Sequence, residues 1–157
     1  MTDEPFPTES LERILTAVET IEASIGTLAR KQSVDLETYY ADTDTQDIVE
    51  RRFVKMTEAA IDIGEVLVKH ERGAPPASNP KSMRALEQLG VLSGPTAEEM
   101  AQAARFRNVL AHTYGDIIDH DMVYDALQDL ERYRRFILEV RDYLESIGAL
   151  KEHGNDR

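Results

Sequence analysis

Apolar residues recur at intervals of three and four along most of this chain, and no stretch alternates apolar and polar with period two. That pattern confines the fold to helices packed on helices. Leu11, Ile14, Leu15, Val18, Ile21, Ile25 and Leu28 form one stripe, predicting an amphipathic helix from about Thr8 to Arg30, capped by Thr8 or Ser10. The segment 31–42 loses the period and reads as a loop with one short helical turn. Asp44 or Thr45 opens a second long helix. Its buried face is Ile48, Val49, Phe53, Met56, Ala59, Ala60, Ile63, Val66 and Leu67, and Gly73, Pro75 and Pro76 end it near His70. A stiff connection, Gly73 to Pro80, leads to a short helix from Lys81 to Leu89, which Gly90 terminates. Thr96 with Glu99 has the spacing of a capping box and predicts a helix from Ala97 to about His112, broken by Gly115. One last helix is expected from about Asp121 to Ile147. The expected class is all-α: an up-and-down bundle of about four long helices with one or two short ones, in a single domain over 1–157 with its core at about 8–147.

Composition narrows the function more than the fold. Among 157 residues there is no cysteine, which removes disulfides, thiolate zinc sites and thiol nucleophiles and fits a reducing compartment. The start, MTDEPFPTES, is acidic without an apolar core, and no apolar run reaches the roughly 20 residues of a membrane span, so a cytoplasmic protein without membrane association is expected. Thirty acidic against eighteen basic side chains give a net charge of −12, which repels nucleic acid at long range. Thirteen of the eighteen bases are Arg. The acids are spread along the chain, as in an ordinary acidic protein or in one adapted to high salt, where screening shortens that repulsion.

No phosphate-binding Gly-rich loop or metal-ligand spacing is present, and no cofactor or metal is called for. The one polar constellation on an otherwise small-residue helix is Arg107-Asn108-Val109-Leu110-Ala111-His112-Thr113-Tyr114. Asn108 and His112 lie four apart on one face; Arg107 lies about 140° round the helix from His112, which a long guanidinium partly bridges. This set suits metal-independent RNA cleavage. Imidazole exchanges the proton as the ribose 2′-OH attacks phosphorus, guanidinium clamps the charged oxygens, and Asn108 orients either group. One His per chain is thin for both acid and base roles, which favours a symmetric dimer placing two motifs in one cleft. The competing reading is that His112 closes a helix C-terminus, favoured by the dipole, while Arg107 makes a surface ion pair.

The motif matches the R-N-x-x-x-H-x-Y signature, and the chain resembles the HepT-like branch of the HEPN superfamily. The resemblance includes Asp44 to Arg52 and Glu58 to Gly64 on the long second helix, Ala85 to Leu92, Phe106-Arg107-Asn108 and Val123-Tyr124, covering about Leu11 to Leu144. It implies a ribonuclease toxin of a type VII-like toxin–antitoxin pair, in which Arg107 and His112 are catalytic, Asn108 supports them, and the protein is a homodimer cutting RNA. It further implies that Tyr114 is the AMP acceptor through which a minimal nucleotidyltransferase (MNT) antitoxin silences the toxin. AMP there would put phosphate charge on the anion site that RNA needs. The alternative is a non-catalytic helical module that binds a nucleotide or the nucleotidyltransferase.

Other residues keep two readings each. Arg105, and Arg51, Arg52 and Lys55 on the second helix, together with Arg132, Arg134 and Arg135 on the last, either track an RNA backbone or pair with Glu50, Glu58, Glu131 and Glu139. Asp116, Asp119, His120 and Asp121 are read as helix caps rather than metal ligands. Tyr39 and Tyr40 stack on bases or cover the edge of the bundle.

Overall fold

The computed structural model describes residues 6–74, 79–111 and 118–150, and every described element is helical. In chain order these are α1 (Thr8–Lys31), α2 (Leu36–Ala41), α3 (Thr43–Arg72), α4 (Asn79–Gln88), α5 (Gly94–Ala111), α6 (His120–Leu127) and α7 (Glu131–Ser146). The expected all-α class holds. Helices α1 and α3 pack antiparallel, with Phe6 against His70, Arg13 against Asp62 and the Arg30 end beside Arg51. The predicted stripes meet along that contact: Ile14, Ile21 and Leu28 are fully buried against Val49, Met56, Ile63 and Leu67. Ile48 departs from expectation. It is 39% exposed, because it lies one position round from Val49, on the margin of the buried face.

Helix α4 rests on α3 at Gly64, where an added Cβ would stand 3.4 Å from Ser82 Oγ and 3.5 Å from Leu86 Cδ1. Gly90 then turns the chain with a φ of 80°, in the left-handed region glycine tolerates, as the sequence predicted. Helix α5 starts beside α4, with Arg84 bonded to Glu98, and ends beside Phe53 and Glu58. It therefore runs back toward the N-terminal half of α3. Buried Ala97, Ala101, Ala103 and Ala104 supply its thin inner face. Thr57 and Tyr133 share a 2.6 Å hydrogen bond that ties α3 to α7 inside the core.

The helix ends correct several expectations. Helix α1 follows an extended Pro7 with no side-chain cap; neither Thr8 nor Ser10 serves. Asp42 caps α3 through Thr45 N and Thr45 Oγ1, so that helix begins at Thr43, ahead of the predicted start. Asp35 caps α2 in the same way, through Thr38 N at 2.7 Å. The Thr96–Glu99 box is not formed. Ser93 takes the cap role: its carbonyl accepts from Ala97 N and its Oγ from Thr96 N, while Thr96 Oγ1 donates to Glu139 and Glu99 pairs with Arg135. Pro95 fits in that first turn because an N–H there would have no intrahelical partner.

The last predicted helix is two helices. The ladder stops after Leu127, whose freed carbonyl accepts from Gln32 Nε2 at 2.9 Å, and Gln128 Nε2 donates back to Gln32 O at 3.0 Å. This reciprocal latch onto the end of α1 satisfies backbone groups that a break exposes. It also lets Leu127 and Leu130 both point into the core.

Candidate functional site

The C-terminal part of α5 carries the described part of the motif, residues 107–111, and Arg107 is held there from two sides. Its Nη2 donates to Glu58 Oε2 on α3, and its Nη1 donates to Asn108 Oδ1 at 3.0 Å. The Arg107 side chain is 19% exposed, and its buried Nε makes no hydrogen bond among the described residues. Glu58 is far more open, at 48%. The planar fork is thus fixed by a carboxylate and an amide, with donors left for a further oxygen ligand. Asn108 holds the guanidinium, one of the two roles the spacing allowed it. His112 and Tyr114 lie outside the described residues.

Next to the motif, between α3, α5, α6 and α7, opens a cavity of about 420 Å³ walled by Phe53, Phe106, Met122 and Tyr133, with Arg132 and Asp129 at its polar side. Phe53 and Phe106 meet edge to face at 5.8 Å. Phe106 directly precedes Arg107, so the cavity lies against the helix that presents the guanidinium.

The remaining candidates separate. Arg105 is about 200° round α5 from Arg107 and shares Glu98 with Arg84, at 3.7 Å and 2.8 Å, so it is directed away from the clamp. Arg132, Arg134 and Arg135 pair with Asp129, Glu131 and Glu99. Arg51, Arg52 and Lys55, by contrast, form no ion pair among the described residues; Glu58 is taken by Arg107, and Glu50 lies 3.8 Å from His120 Nδ1. Asp119 accepts from Met122 N and caps α6, and no group of three or more potential ligands among the described residues could hold a metal.

Tyr39 is buried, with its hydroxyl pushed well above the ordinary phenol range, first by burial and then by Glu50 and Asp47. It is core. Tyr40 donates to Asp121 Oδ1 at 2.9 Å and stands edge-on to His120. Glu58 is the site residue the sequence did not reveal as a partner of Arg107, because nothing in local spacing links positions 49 residues apart.

A guanidinium held rigid by a carboxylate and an amide, with donors still free, is a place where an anionic oxygen can dock. Comparison with known proteins gives this arrangement its family. The model of the family described as Ribonuclease HepT-like matches residues 10–140. The chain belongs to the HepT-like ribonuclease family. It is similar to the tRNA nuclease HepT of Aphanizomenon flos-aquae (strain 2012/KM1/D3), 27% identical over 132 residues that cover 83% of this chain and 89% of that protein. Among solved structures it is similar to a tri-AMPylated HEPN toxin of Shewanella oneidensis in complex with MNT antitoxin. There the TM-score is 0.74 at 23% identity, with 90% of this chain and 99% of that one covered. It is also similar to YutE of Bacillus subtilis, described as a cytosolic protein of unknown function, with TM-score 0.75, 17% identity and 93% and 96% covered. These likenesses show the HEPN fold. No described helix is long and apolar enough to cross a membrane.

Proposed function

We propose that this chain is the toxin of a toxin–antitoxin pair, a homodimeric endoribonuclease that cuts RNA by 2′-OH attack without needing a metal. The observation that carries the reading is Arg107, fixed by Glu58 and Asn108 within the R-N-x-x-x-H-x-Y run of a HepT-like ribonuclease. His112 of one protomer takes the 2′ proton, and O2′ forms its bond to phosphorus. The bond to the 5′ oxygen breaks, and that oxygen leaves with a proton from His112 of the second protomer. Arg107 stabilises the non-bridging oxygens as charge builds on them. The products are a 2′,3′-cyclic phosphate and a 5′-OH.

Purified protein incubated with RNA in EDTA tests this. Cleavage leaving those ends is expected, with transfer RNA the first substrate class because the Aphanizomenon relative is named a tRNA nuclease. His112→Ala should lose roughly 10²- to 10⁴-fold in rate, the usual contribution of a general acid or base, and Arg107→Ala should fall comparably. Full activity in either variant removes the assigned role.

Silencing is assigned to Tyr114, as AMP acceptor from a nucleotidyltransferase partner. A HEPN-fold toxin described as tri-AMPylated and bound to its antitoxin supports this. Tyr114→Phe removes only the acceptor hydroxyl, so that variant should stay nucleolytic and gain no AMP when partner and ATP are supplied. Equal mass additions on wild type and Tyr114→Phe would place the acceptor elsewhere.

A further inference from the structure

The groove between α1 and α3 is sharply divided in charge. At one end a cavity of about 430 Å³ is lined by Thr27, Arg30 and Lys31 of α1 and by Arg51, Arg52 and Lys55 of α3, with Ile48 as its apolar floor and no carboxylate in its wall. At the other end Glu9, Glu12, Glu58 and Asp62 line a cavity in which Arg13 is the basic residue, and Arg13 is bonded to Asp62. Glu58, the carboxylate that holds Arg107, marks the junction.

Five cations gathered on one wall are unusual in a chain of net charge −12, where carboxylates outnumber bases thirty to eighteen. Elsewhere Arg13, Arg84, Arg105, Arg107, Arg132, Arg134, Arg135 and Arg141 are in ion pairs, Arg72 donates to Gln88, and among the described residues only Lys69 and Lys81 stand singly without a partner carboxylate. Among the same residues none of the five groove cations is in an ion pair. Lys31 acts on Asp42 only as a minor influence, behind the Thr45 hydrogen bonds that lower that carboxyl. Holding like charges together without counterions costs free energy, so the arrangement favours a bound polyanion.

The position identifies the polyanion. Arg51, Lys55 and Glu58 lie at i, i+4 and i+7 along one stripe of α3, so the groove cations stand about 5 to 10 Å along the axis from the Glu58–Arg107 contact. That is the spacing of phosphates one or two apart on a strand. Helix α5 also runs toward this half of α3. Exposed Arg51 and Lys55 and half-buried Arg52 and Lys31 offer the mixture of bidentate forks and point charges that tracks a sugar–phosphate backbone.

We propose that the basic end of the α1–α3 groove binds the phosphates of the RNA next to the cleavage site, while the acidic end repels the strand and fixes its path. This rests on the ribonuclease reading above. It assigns RNA-backbone binding to Arg30, Lys31, Arg51, Arg52 and Lys55.

The test is anisotropy of a short fluorescein-labelled single-stranded RNA over a salt series, with His112→Ala in every arm to stop cleavage. Arg51→Gln/Arg52→Gln/Lys55→Gln should bind at least about tenfold more weakly at low salt. Its log–log salt slope should be shallower by about 2, from about 0.7 per phosphate contact on a single strand. Arg134→Gln/Arg135→Gln/Arg141→Gln makes the same net charge change on α7 and should leave the slope unchanged. Equal losses in both sets would mean general electrostatics and overturn the site, as would no loss in the first or no binding by the unaltered groove. Circular dichroism checks folding, and Arg51→Gln alone, with a slope change of about 0.7, decides the matter should the triple variant unfold. Cleavage by the wild type is followed in parallel. Wild-type cleavage with an unaffected triple variant removes the groove and leaves the ribonuclease; a slope change without any wild-type cleavage removes the ribonuclease and leaves an RNA-binding groove.

Discussion

Glu58 neutralises Arg107 in the free protein, and replacing it with Gln should strengthen RNA binding. The carboxylate lies on one side of the guanidinium, and a bound phosphate must approach from another, which sets the two negative groups about 7 Å apart across the planar fork. Their repulsion is about 2.4 kcal/mol at an effective dielectric of 20 and about 0.6 kcal/mol at that of water. Because Glu58 is 48% exposed, the lower half of that range applies, and Glu58→Gln should bind RNA roughly 3- to 10-fold more tightly. The Gln carbonyl still accepts from Arg107, so single-turnover cleavage should fall only modestly. Glu58→Ala leaves the guanidinium without an orienting partner on α3 and should bind as tightly but cleave much more slowly. Stability should move by no more than about 1 kcal/mol in either variant, as for exposed ion pairs. Anisotropy in the His112→Ala background gives the affinity, and single-turnover cleavage with His112 intact gives the rate. Unchanged or weaker binding by Glu58→Gln would show that no RNA phosphate approaches Arg107 beside Glu58.

Two further variants test the frame that positions the site. Tyr133→Phe strands the Thr57 hydroxyl in the core at the end of a 2.6 Å hydrogen bond and should cost roughly 1 to 2 kcal/mol in urea unfolding; no measurable loss would mean the pair contributes nothing. Burial raises the Glu50 carboxyl above its ordinary 4.5, an effect that His120 opposes and Asp47 reinforces. The folded state therefore binds this proton more tightly than the unfolded one, so the group is neutral in its effect below the unfolded value and destabilising once pH exceeds the folded value. Glu50→Gln should accordingly be more stable than wild type at about pH 8, with the difference vanishing toward about pH 4; parallel stability curves over that range would contradict the burial account.

The parts of the fold that the sequence made legible are those governed by local periodicity. The stripes of α1 and α3 and the stop at Gly90 needed only residues within a turn or two of each other. The break between α6 and α7 was hidden because the group that stabilises it, Gln32, lies 95 residues from Leu127, and the intervening apolar spacing also fits an uninterrupted helix. Ser93 displaced Thr96 as cap because Glu139, 43 residues further on, takes the Thr96 hydroxyl. The site divides along the same line. Arg107 and Asn108 were visible as a motif and touch each other, while Glu58 and the cation groove come from α1, α3 and α5 meeting in space.

The net charge of −12 and an RNA substrate are reconciled by where the charges sit rather than by how many there are. At an ionic strength of 0.1 M the screening length is about 10 Å, so carboxylates on the far faces of helices about 35 to 45 Å long contribute little to the potential at a phosphate docked near Arg107. What that phosphate feels is its immediate surroundings: the Arg107 fork, Glu58 beside it and, one to two turns along α3, cations with no ion-pair partner among the described residues. The paired arginines of α7 are removed from this account because their fields are cancelled at close range by Asp129, Glu131, Glu99 and Glu22. An acidic surface with one uncompensated basic wall then works as a filter. Its acidic faces repel polyanions while the clustered groove cations attract them, so a strand that binds there is guided onto the path that leads its backbone past the motif.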